Sequence, residues 1–155
     1  AGEVCNSYGL SIAYHHHMGT YIQNENEVYR LLSDTDPKLV NLCADTGHMY
    51  FAGIDPVRFF KNNMNRIRHI HFKDLRSNIF KNLNFKETSF LKAVLSGVFT
   101  VPGDGCIDFE TISNVIIKAE YRGWIIVEAE QDPAIANPLE YAMQSKQYIN
   151  KIWGN

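Results

Sequence analysis

Three short stretches of the sequence carry side chains suited to binding a divalent metal ion, and each adjoins an apolar run. They are residues 44–48 (ADTGH), 69–73 (HIHFK) and 126–130 (IVEAE). In a strand, the alternation places His69, His71 and Lys73 on one face, where ionisable groups are costly to bury unless something binds them. Carboxylate and imidazole groups suit manganese, cobalt or zinc. The sequence therefore predicts a metal centre around Asp45 and His71, with Glu128 as a further ligand or a general base.

Each of the two carboxylate stretches has a second interpretation. Residues 45–48 also suit a simple turn, because Asp, Thr and Gly all favour turns. Glu128 follows the apolar run 125–127, which predicts buried surroundings and therefore a ligand or base. Glu130 lies two residues further on and faces the same way, so it either contacts a substrate or is exposed at the rim.

A run of three histidines follows the short apolar stretch 10–14. In extended backbone, His15 and His17 share one face and His16 points away. Imidazole is the side chain that most often binds transition metals, which makes His15 and His17 candidate ligands. The alternative interpretation is a solvated loop of histidines.

Two further polar groups have a structural and a functional interpretation. Lys73 either forms an exposed ion pair with Asp74 or lies beside the metal as a cation that stabilises an enolate or a departing oxygen. Residues 102–105 (PGDG) predict a tight turn, and the functional alternative gives Asp104 a contact with substrate hydroxyls.

The remaining pattern alternates strands with helices. We predict strands over 10–14, 39–44, 67–73 and 124–128, and helices over 24–33, from Asp55 onward, over 108–119 and over 138–153. A long connection, 75–108, contains one short helix at 89–95. Four βα units predict an α/β fold in one domain over 1–155, with a parallel sheet and outer helices. Every polar cluster then lies at the carboxyl end of a strand, where such sheets bind ligands.

The composition is that of a globular domain, with 45% hydrophobic and 21% charged residues. A net charge of −2 predicts no general affinity for nucleic acid or anionic membranes. No apolar run approaches the roughly 20 residues needed to span a bilayer. Three widely spaced cysteines argue against a disulfide framework, and Cys43 is interpreted as a small core residue. Without a signal-peptide pattern in the first residues, we expect a cytoplasmic protein.

Five motifs resemble those of the inosose dehydratase family, a branch of the xylose-isomerase-like TIM-barrel superfamily. They are residues 14–20 (YHHHMGT), 45–48 (DTGH), 69–74 (HIHFKD), 99–105 (FTVPGDG) and 127–133 (VEAEQDP). The DTGH motif is typical of the superfamily, whereas the histidine run and the EAEQDP stretch are narrower and indicate the dehydratases. The resemblance extends from about residue 10 to residue 141 and implies the carboxyl-terminal half of a TIM (β/α)8 barrel.

The resemblance implies one divalent metal ion, with manganese or cobalt ahead of zinc, held by Asp45, His71 and Glu128. The first ligand position of the superfamily, a glutamate, falls at or near His15, so the fourth ligand is His15, His17 or a water. The implied reaction is the loss of water from 2-keto-myo-inositol, with Glu128 or the oxygen network at the metal as base. The implied acid is His17, His48 or Lys73. By the same resemblance, the residues that contact the substrate are His17, His48, Lys73, Asp104 and Glu130.

Four βα units are half of the eight that a TIM barrel needs. We therefore expect two open sheet edges and either self-association or pairing with a missing half-barrel. Three alternatives stay open: a sugar isomerase or epimerase of the same superfamily, a metal-dependent phosphodiesterase acting on damaged DNA, and an inactive metal-binding fragment. The phosphodiesterase would need a basic groove, and the basic run from Arg66 to Arg76 is too short to form one.

Overall fold

The structure, a computed structural model, describes residues 1–154 and contains one four-stranded sheet with helices packed on one side. The strands are β1 (Ile12–His15), β2 (Val40–Asp45), β3 (Ile67–Phe72) and β6 (Trp124–Val127), in the spatial order β1-β2-β3-β6. All three pairings are parallel. The predicted α/β class and the four predicted strands are confirmed.

Eight α-helices connect or flank the strands within the described residues, and a short 3-10 helix (Met64–Arg66) leads into β3. The α-helices are α1 (Gly2–Ser7), α2 (Glu25–Asp34), α3 (Thr46–Phe51), α4 (Pro56–Asn63), α5 (Ser77–Lys81), α6 (Phe90–Leu95), α7 (Phe109–Lys118) and α8 (Pro138–Trp153). Asn24 and Glu27 form a capping box at the start of α2, and Asp55 caps α4 ahead of Pro56. None of the helices in residues 1–154 is long and apolar enough to cross a membrane.

The core lies between the sheet and the helices. Leu42 and Ala44 of β2 and Ile70 and Phe72 of β3 are fully or almost fully buried, and they alternate with the polar residues of the opposite face. Because side chains alternate along a strand, Asn41 and Asp45 of β2 and His69 and His71 of β3 project to the other, inner face. The sheet therefore separates an apolar layer from a polar one.

The long connection between β3 and α7 contains more structure than predicted. Strands β4 (Asp74–Leu75) and β5 (Phe99–Thr100) form a two-stranded antiparallel pair, with α5 and α6 between them. Two residues per strand leave no alternation that a periodicity argument can detect. The prediction of a connection with one helix was therefore incomplete.

The inner face of the sheet is open on its β6 side. Trp124 and Ile126 of β6 are 77% and 41% exposed, and β1 and β6 are the two edge strands. The expectation that the apolar run 125–127 buries Glu128 was wrong, because the Glu128 side chain is 35% exposed. Ile125 and Val127 pack against the core, but Ile126 is exposed on this edge strand, so the apolar run does not predict the burial of Glu128.

Candidate metal centre

Three of the predicted ligands converge at the carboxyl ends of neighbouring strands. Asp45 ends β2, His71 lies near the end of β3, and Glu128 directly follows β6. One ligand atom from each lies within 4.8 Å of the other two. His71 Nδ1 is 3.1 Å from Glu128 Oε1 and 3.6 Å from Asp45 Oδ2, and His15 Nε2 is 3.4 Å from the same oxygen. Asp45, His71 and Glu128 therefore form one candidate ligand group, and His15 adjoins it through Asp45.

Several buried polar atoms of this cluster could bind a divalent cation. Asp45 Oδ2, His15 Nε2 and His71 Nδ1 are buried, and within residues 1–154 none of them forms a hydrogen bond of ordinary geometry, although each lies within 3.6 Å of another polar atom of the cluster. Buried polar atoms without partners are rare in native proteins, because each leaves a desolvation cost uncompensated. Two imidazoles and two carboxylates are also the donor types that manganese, cobalt and zinc accept. The residues present therefore match the ion that the resemblance implies.

The charges of the cluster are strongly mutually stabilised. Burial alone would raise the pKa of Asp45, but the side chains of His15 and His71 and the Lys73 ammonium bring it well below its usual value. The Asp45 carboxylate, with Cys43 and Glu128, raises the pKa of His71 to about 11. His71 in turn lowers the pKa of Glu128 to about 2, although burial opposes the change. Both carboxylates are thus anionic, and a metal must displace a proton from His71.

Lys73 is a buried cation at the base of the cluster. Its side chain is 1% exposed, and Nζ lies 2.8 Å from Glu130 Oε2, 2.9 Å from Glu128 Oε2 and 3.3 Å from Asp45 Oδ2. Burial would lower the pKa of Lys73, but the three carboxylates raise it, so the ammonium stays charged. Glu130 is thus held by Lys73, in contrast to the alternative of an exposed rim residue.

The alternative of an exposed ion pair between Lys73 and Asp74 was wrong. Both side chains are buried, and they point to opposite sides, as neighbours in extended backbone do. Asp74 accepts hydrogen bonds from four backbone N–H groups, those of Leu75, Gly103, Gly105 and Ile107. Asp74 therefore fixes the loop 103–107 and does not neutralise Lys73.

The DTGH stretch begins helix α3, and each of its four residues has a distinct contact. Asp45 Oδ1 accepts from the His48 N–H and caps the helix. Thr46 Oγ1 donates to the Lys73 carbonyl at 2.7 Å and accepts from the Lys73 N–H at 3.0 Å. A Cβ on Gly47 would lie 2.6 Å from Lys73 Cγ, so only glycine leaves room for that side chain. The alternative of a simple turn is thereby replaced by a helix start that positions Lys73.

His48 is neutral, and its hydrogen bond defines its tautomer. Burial lowers the pKa of His48 to about 2 despite the nearby Asp45. Its Nε2 lies 3.0 Å from Lys73 Nζ, and an ammonium can only donate, so Nε2 accepts and the proton is on Nδ1. The 3.6 Å separation between His48 Nε2 and Glu130 is therefore not an ion pair.

The histidine run is ordered, with two of its members facing the cluster. The ring centroids of His15 and His17 are 5.5 Å apart, and that of His17 lies 3.8 Å from that of His48. His17 Nδ1 donates to the Met18 carbonyl at 2.7 Å. His16 is buried on the other side, and burial lowers its pKa to about 4. The solvated-loop alternative was therefore wrong.

An open cavity of about 470 Å³ adjoins the cluster, which is large enough for a small-molecule ligand. It is lined by His15, His17, Lys73, Glu128, Ala129 and Glu130. Asp104 lines a different cavity, where its carboxylate accepts from Arg76 at 2.6 Å and from Thr100 at 2.6 Å. Of the predicted substrate-contacting residues, His17, Lys73 and Glu130 line this cavity, whereas Asp104 and the fully buried His48 do not.

Sequence reasoning missed three residues that shape the site. Cys43, interpreted as a core residue, projects from the inner face and lies beside His15 and His71. Thr46 holds Lys73, and Arg76 links the loop 103–107 to helix α8 through Asp104 and Tyr141. The strand parity of Cys43 with Asp45 was the available signal, since residues two apart in a strand share a face.

Sequence comparison finds close similarity to inosose dehydratases. The chain is 51% identical over 150 residues to the inosose dehydratase of Halalkalibacterium halodurans, which covers 97% of this chain and 50% of that protein. It is 50% identical over 153 residues to the inosose dehydratase of Geobacillus thermodenitrificans, covering 99% of this chain and 51% of that protein. The chain thus spans about half the length of the curated relatives that it matches.

Structure comparison finds the same fold in more distant proteins. The probable 3-DHS dehydratase AsbF of Bacillus anthracis superposes with a TM-score of 0.74 at 17% identity, covering 96% of this chain and 52% of that chain. The IolI protein with a bound zinc atom superposes with a TM-score of 0.69 at 17% identity, covering 97% of this chain and 51% of that chain. At this identity the likeness establishes the fold alone.

Residues 1–152 match the family described as xylose isomerase-like TIM barrel, which agrees with the parallel strands and outer helices described above. The match covers almost the whole chain. The chain therefore belongs to the xylose isomerase-like TIM barrel family.

Proposed function

We propose that this chain is the carboxyl-terminal half of a metal-dependent dehydratase that removes water from 2-keto-myo-inositol. The observation that carries the proposal is the convergence of Asp45, His71 and Glu128, with unpartnered buried atoms, beside an open polar cavity. The identity of about half of all positions with inosose dehydratases supplies the substrate class.

Asp45, His71, Glu128 and His15 would hold one divalent ion, with manganese or cobalt as our proposal for its identity and zinc as the alternative. When bound, the ion acts as a Lewis acid that polarises the ketone and the adjacent hydroxyl of the substrate. Lys73 holds the second oxygen of Glu128, which orients that carboxylate for ligation. Asp45 is oriented by its hydrogen bond to the backbone of α3.

The dehydration needs a base for the proton alpha to the ketone and an acid for the departing hydroxyl. Glu128 and Glu130 are the two carboxylates that line the cavity, and both face the space above Lys73. His71 and Lys73 lower the pKa of Glu128 to about 2, which makes its carboxylate a weak base. We therefore add Glu130 as a second candidate base beside Glu128.

The acid must reach the same cavity. His17 lines it, and its Nδ1 hydrogen bond to a carbonyl leaves Nε2 as the atom that exchanges a proton. His48 is a poorer acid because its pKa of about 2 keeps it neutral, and its Nε2 accepts from Lys73. Lys73 suits electrostatic stabilisation of a developing enolate, because its carboxylate partners keep it charged. We propose His17 as the acid, with Lys73 contacting the substrate and the buried His48 positioning Lys73.

The activity requires a complete barrel in this proposal. A closed barrel has eight strands, whereas the sheet described here has four and leaves β1 and β6 as edges. The relatives are about twice as long as this chain, so the partner that we propose is a complementary half-barrel that pairs with both edges. A reducing, cytoplasmic setting is our further proposal, which the three free cysteines support.

The test combines this chain with the half of the Halalkalibacterium halodurans enzyme that it does not match. The two are co-expressed, purified together, loaded with Mn²⁺ and incubated with 2-keto-myo-inositol. We expect the two halves to co-purify and the product to be the trihydroxycyclohexane dione, lighter than the substrate by one water.

The matched control is the same pair with Asp45→Ala, which should co-purify and form no dione. An isomeric product of unchanged mass would contradict dehydration and support the isomerase or epimerase alternative. Equal turnover in the Asp45→Ala pair would contradict the metal mechanism.

A further inference from the structure

Cys43 occupies a position on the inner face of β2 that the proposed reaction does not use. Strand register pairs it with His15 on one side and His69 on the other, while Leu42 and Ala44 project into the core. Asp45 is two residues further along the same face, so Cys43 lies one layer deeper in the half-barrel than the carboxylates.

One ligand atom each from Cys43, His15 and His71 lies within 4.8 Å of the other two. This group shares both imidazoles with the carboxylate cluster but replaces its two hard oxygen ligands by one soft sulfur. Within residues 1–154, His15 Nε2 and His71 Nδ1 form no hydrogen bond of ordinary geometry, so the same two side chains are available to both groups.

We propose that Cys43, His15 and His71 form a second, thiophilic metal site that competes with the carboxylate site for the same two imidazoles. The competition, though not the site itself, rests on the metal centre proposed above. Thiolates select soft ions, whereas carboxylates suit manganese. A soft ion such as Cd²⁺ binds the thiophilic site, and the Cys43 thiol releases its proton to solvent as the sulfur–metal bond forms.

Bound there, the soft ion withdraws His15 and His71 from Asp45 and Glu128. The carboxylate site then retains only its oxygen ligands and loses Mn²⁺. Soft metal ions therefore inhibit Mn²⁺ binding to this chain, and the buried thiol of Cys43 causes the inhibition.

The experiment titrates Cd²⁺ into the Cys5→Ser/Cys106→Ser protein, in which Cys43 is the remaining thiol. Binding is followed by the ultraviolet charge-transfer absorption of the cadmium–thiolate bond. Mn²⁺ binding is followed separately, by loss of the free-ion signal in electron paramagnetic resonance. We expect one equivalent of Cd²⁺ to produce the band and to release bound Mn²⁺.

Two variants in the same background separate the sites. Cys43→Ser should lose the cadmium band and retain Mn²⁺ binding, which also shows that this variant is folded. Glu128→Gln should weaken Mn²⁺ binding about tenfold or more and retain the band. Glu128 is partly exposed, so its substitution leaves the core undisturbed.

Absence of the band in the Cys43-containing protein, or its persistence in Cys43→Ser, would overturn the thiophilic site. A band without release of Mn²⁺ would overturn the competition. Failure of the background protein to bind Mn²⁺, with the band present, would instead contradict the metal centre of the proposed function and leave the thiolate site supported.

Discussion

Charge balance decides how the residues of the cluster behave without a metal. Three carboxylates, those of Asp45, Glu128 and Glu130, lie around the single ammonium of Lys73. One positive charge does not neutralise three negative ones, and the proton held by His71 supplies a second. The metal-free protein thus depends on Lys73 and on protonated His71 to keep Asp45 ionised in a buried position.

Replacing Lys73 by Met should destabilise the metal-free protein by about 3 kcal/mol, because it removes the ammonium that pairs with the buried Asp45 carboxylate. Urea denaturation with and without Mn²⁺ measures the effect. Added Mn²⁺ should restore part of the loss, since a divalent ion supplies the missing positive charge.

The control for this change is Arg30→Met. Arg30 pairs with Asp34 across one helical turn, with both side chains more than half exposed. Such pairs contribute about 0.5 kcal/mol or less. If the Lys73→Met and Arg30→Met proteins had the same free energy of unfolding, the buried lysine would not stabilise the fold through Asp45.

Metal affinity should rise with pH because His71 must lose a proton to become a ligand. The pKa of His71 is raised to about 11, so the side chain is protonated throughout the neutral range in the metal-free protein. Binding then releases one proton, and the Mn²⁺ affinity should increase about tenfold per pH unit between about pH 6 and pH 8. The stability of the metal-free protein changes with pH in the opposite direction. The contribution of protonated His71 to the free energy of unfolding is complete below the pKa that this residue has in the unfolded chain, and it is lost as the pH rises toward about 11.

Calorimetry in two buffers of different ionisation enthalpy counts the released protons. His69→Gln is the matched control, since His69 lies on the same strand face outside the ligand group and should keep the slope. An affinity for Mn²⁺ that does not change with pH would show that His71 is neutral before binding.

Strand parity predicted most of the site residues, because it depends only on positions along the sequence. His15, His71 and Lys73 face the cluster as their spacing requires. The pairing of Lys73 with Glu130 could not be predicted, since it joins segments 57 residues apart. The role of Asp74 was also hidden, because its four donors come from a loop whose conformation the sequence does not reveal.

At the level of secondary-structure elements, prediction succeeded where local chemistry is strong. Helices α2, α4, α7 and α8 are each preceded by an N-cap residue whose side chain accepts from the first turn, namely Asn24, Asp55, Asp108 and Asn137. Strands β4 and β5 could not be found in this way. Their pairing is two residues long and is maintained by tertiary contacts such as those of Arg76 with the carbonyls of Gly97 and Phe99.

Asp74→Asn should destabilise the protein by about 2–4 kcal/mol. Each carboxylate oxygen accepts from two backbone N–H groups of this region. An amide nitrogen in place of one oxygen leaves two buried N–H groups unpaired and adds a donor that faces them. Thermal unfolding followed by circular dichroism measures the loss.

The matched control is Asp108→Asn, the same chemical change at the exposed start of α7. Asp108 accepts from the Thr111 N–H, and asparagine caps helices about as well as aspartate. We expect a change of about 0.5 kcal/mol or less. Equal effects of the two substitutions would mean that the loop 103–107 does not depend on Asp74.

At the scale of the whole molecule, the open inner face and the two edge strands predict a surface that a partner covers. Unpaired strand edges and exposed apolar side chains are normally covered in stable proteins. Here Trp124 and Ile126 project from the edge strand β6 on the same face as the metal ligands. We therefore predict that Ile126 lies inside the completed barrel and that a charge there prevents assembly.

Ile126→Asp should abolish co-purification with the complementary half of the Halalkalibacterium halodurans enzyme, because the completed barrel would bury an unpaired carboxylate. Isolated, the variant chain should unfold like the unmodified one, since Ile126 is 41% exposed there. Ile117→Asp is the control: Ile117 is 53% exposed on helix α7 instead of on a strand, and its substitution should leave co-purification intact. Light scattering of the isolated chain shows whether it instead pairs with a second copy of itself. A dimer that Ile126→Asp dissociates would identify a second copy as the partner of these edges, and a monomer that fails to bind the complementary half would contradict the half-barrel assembly.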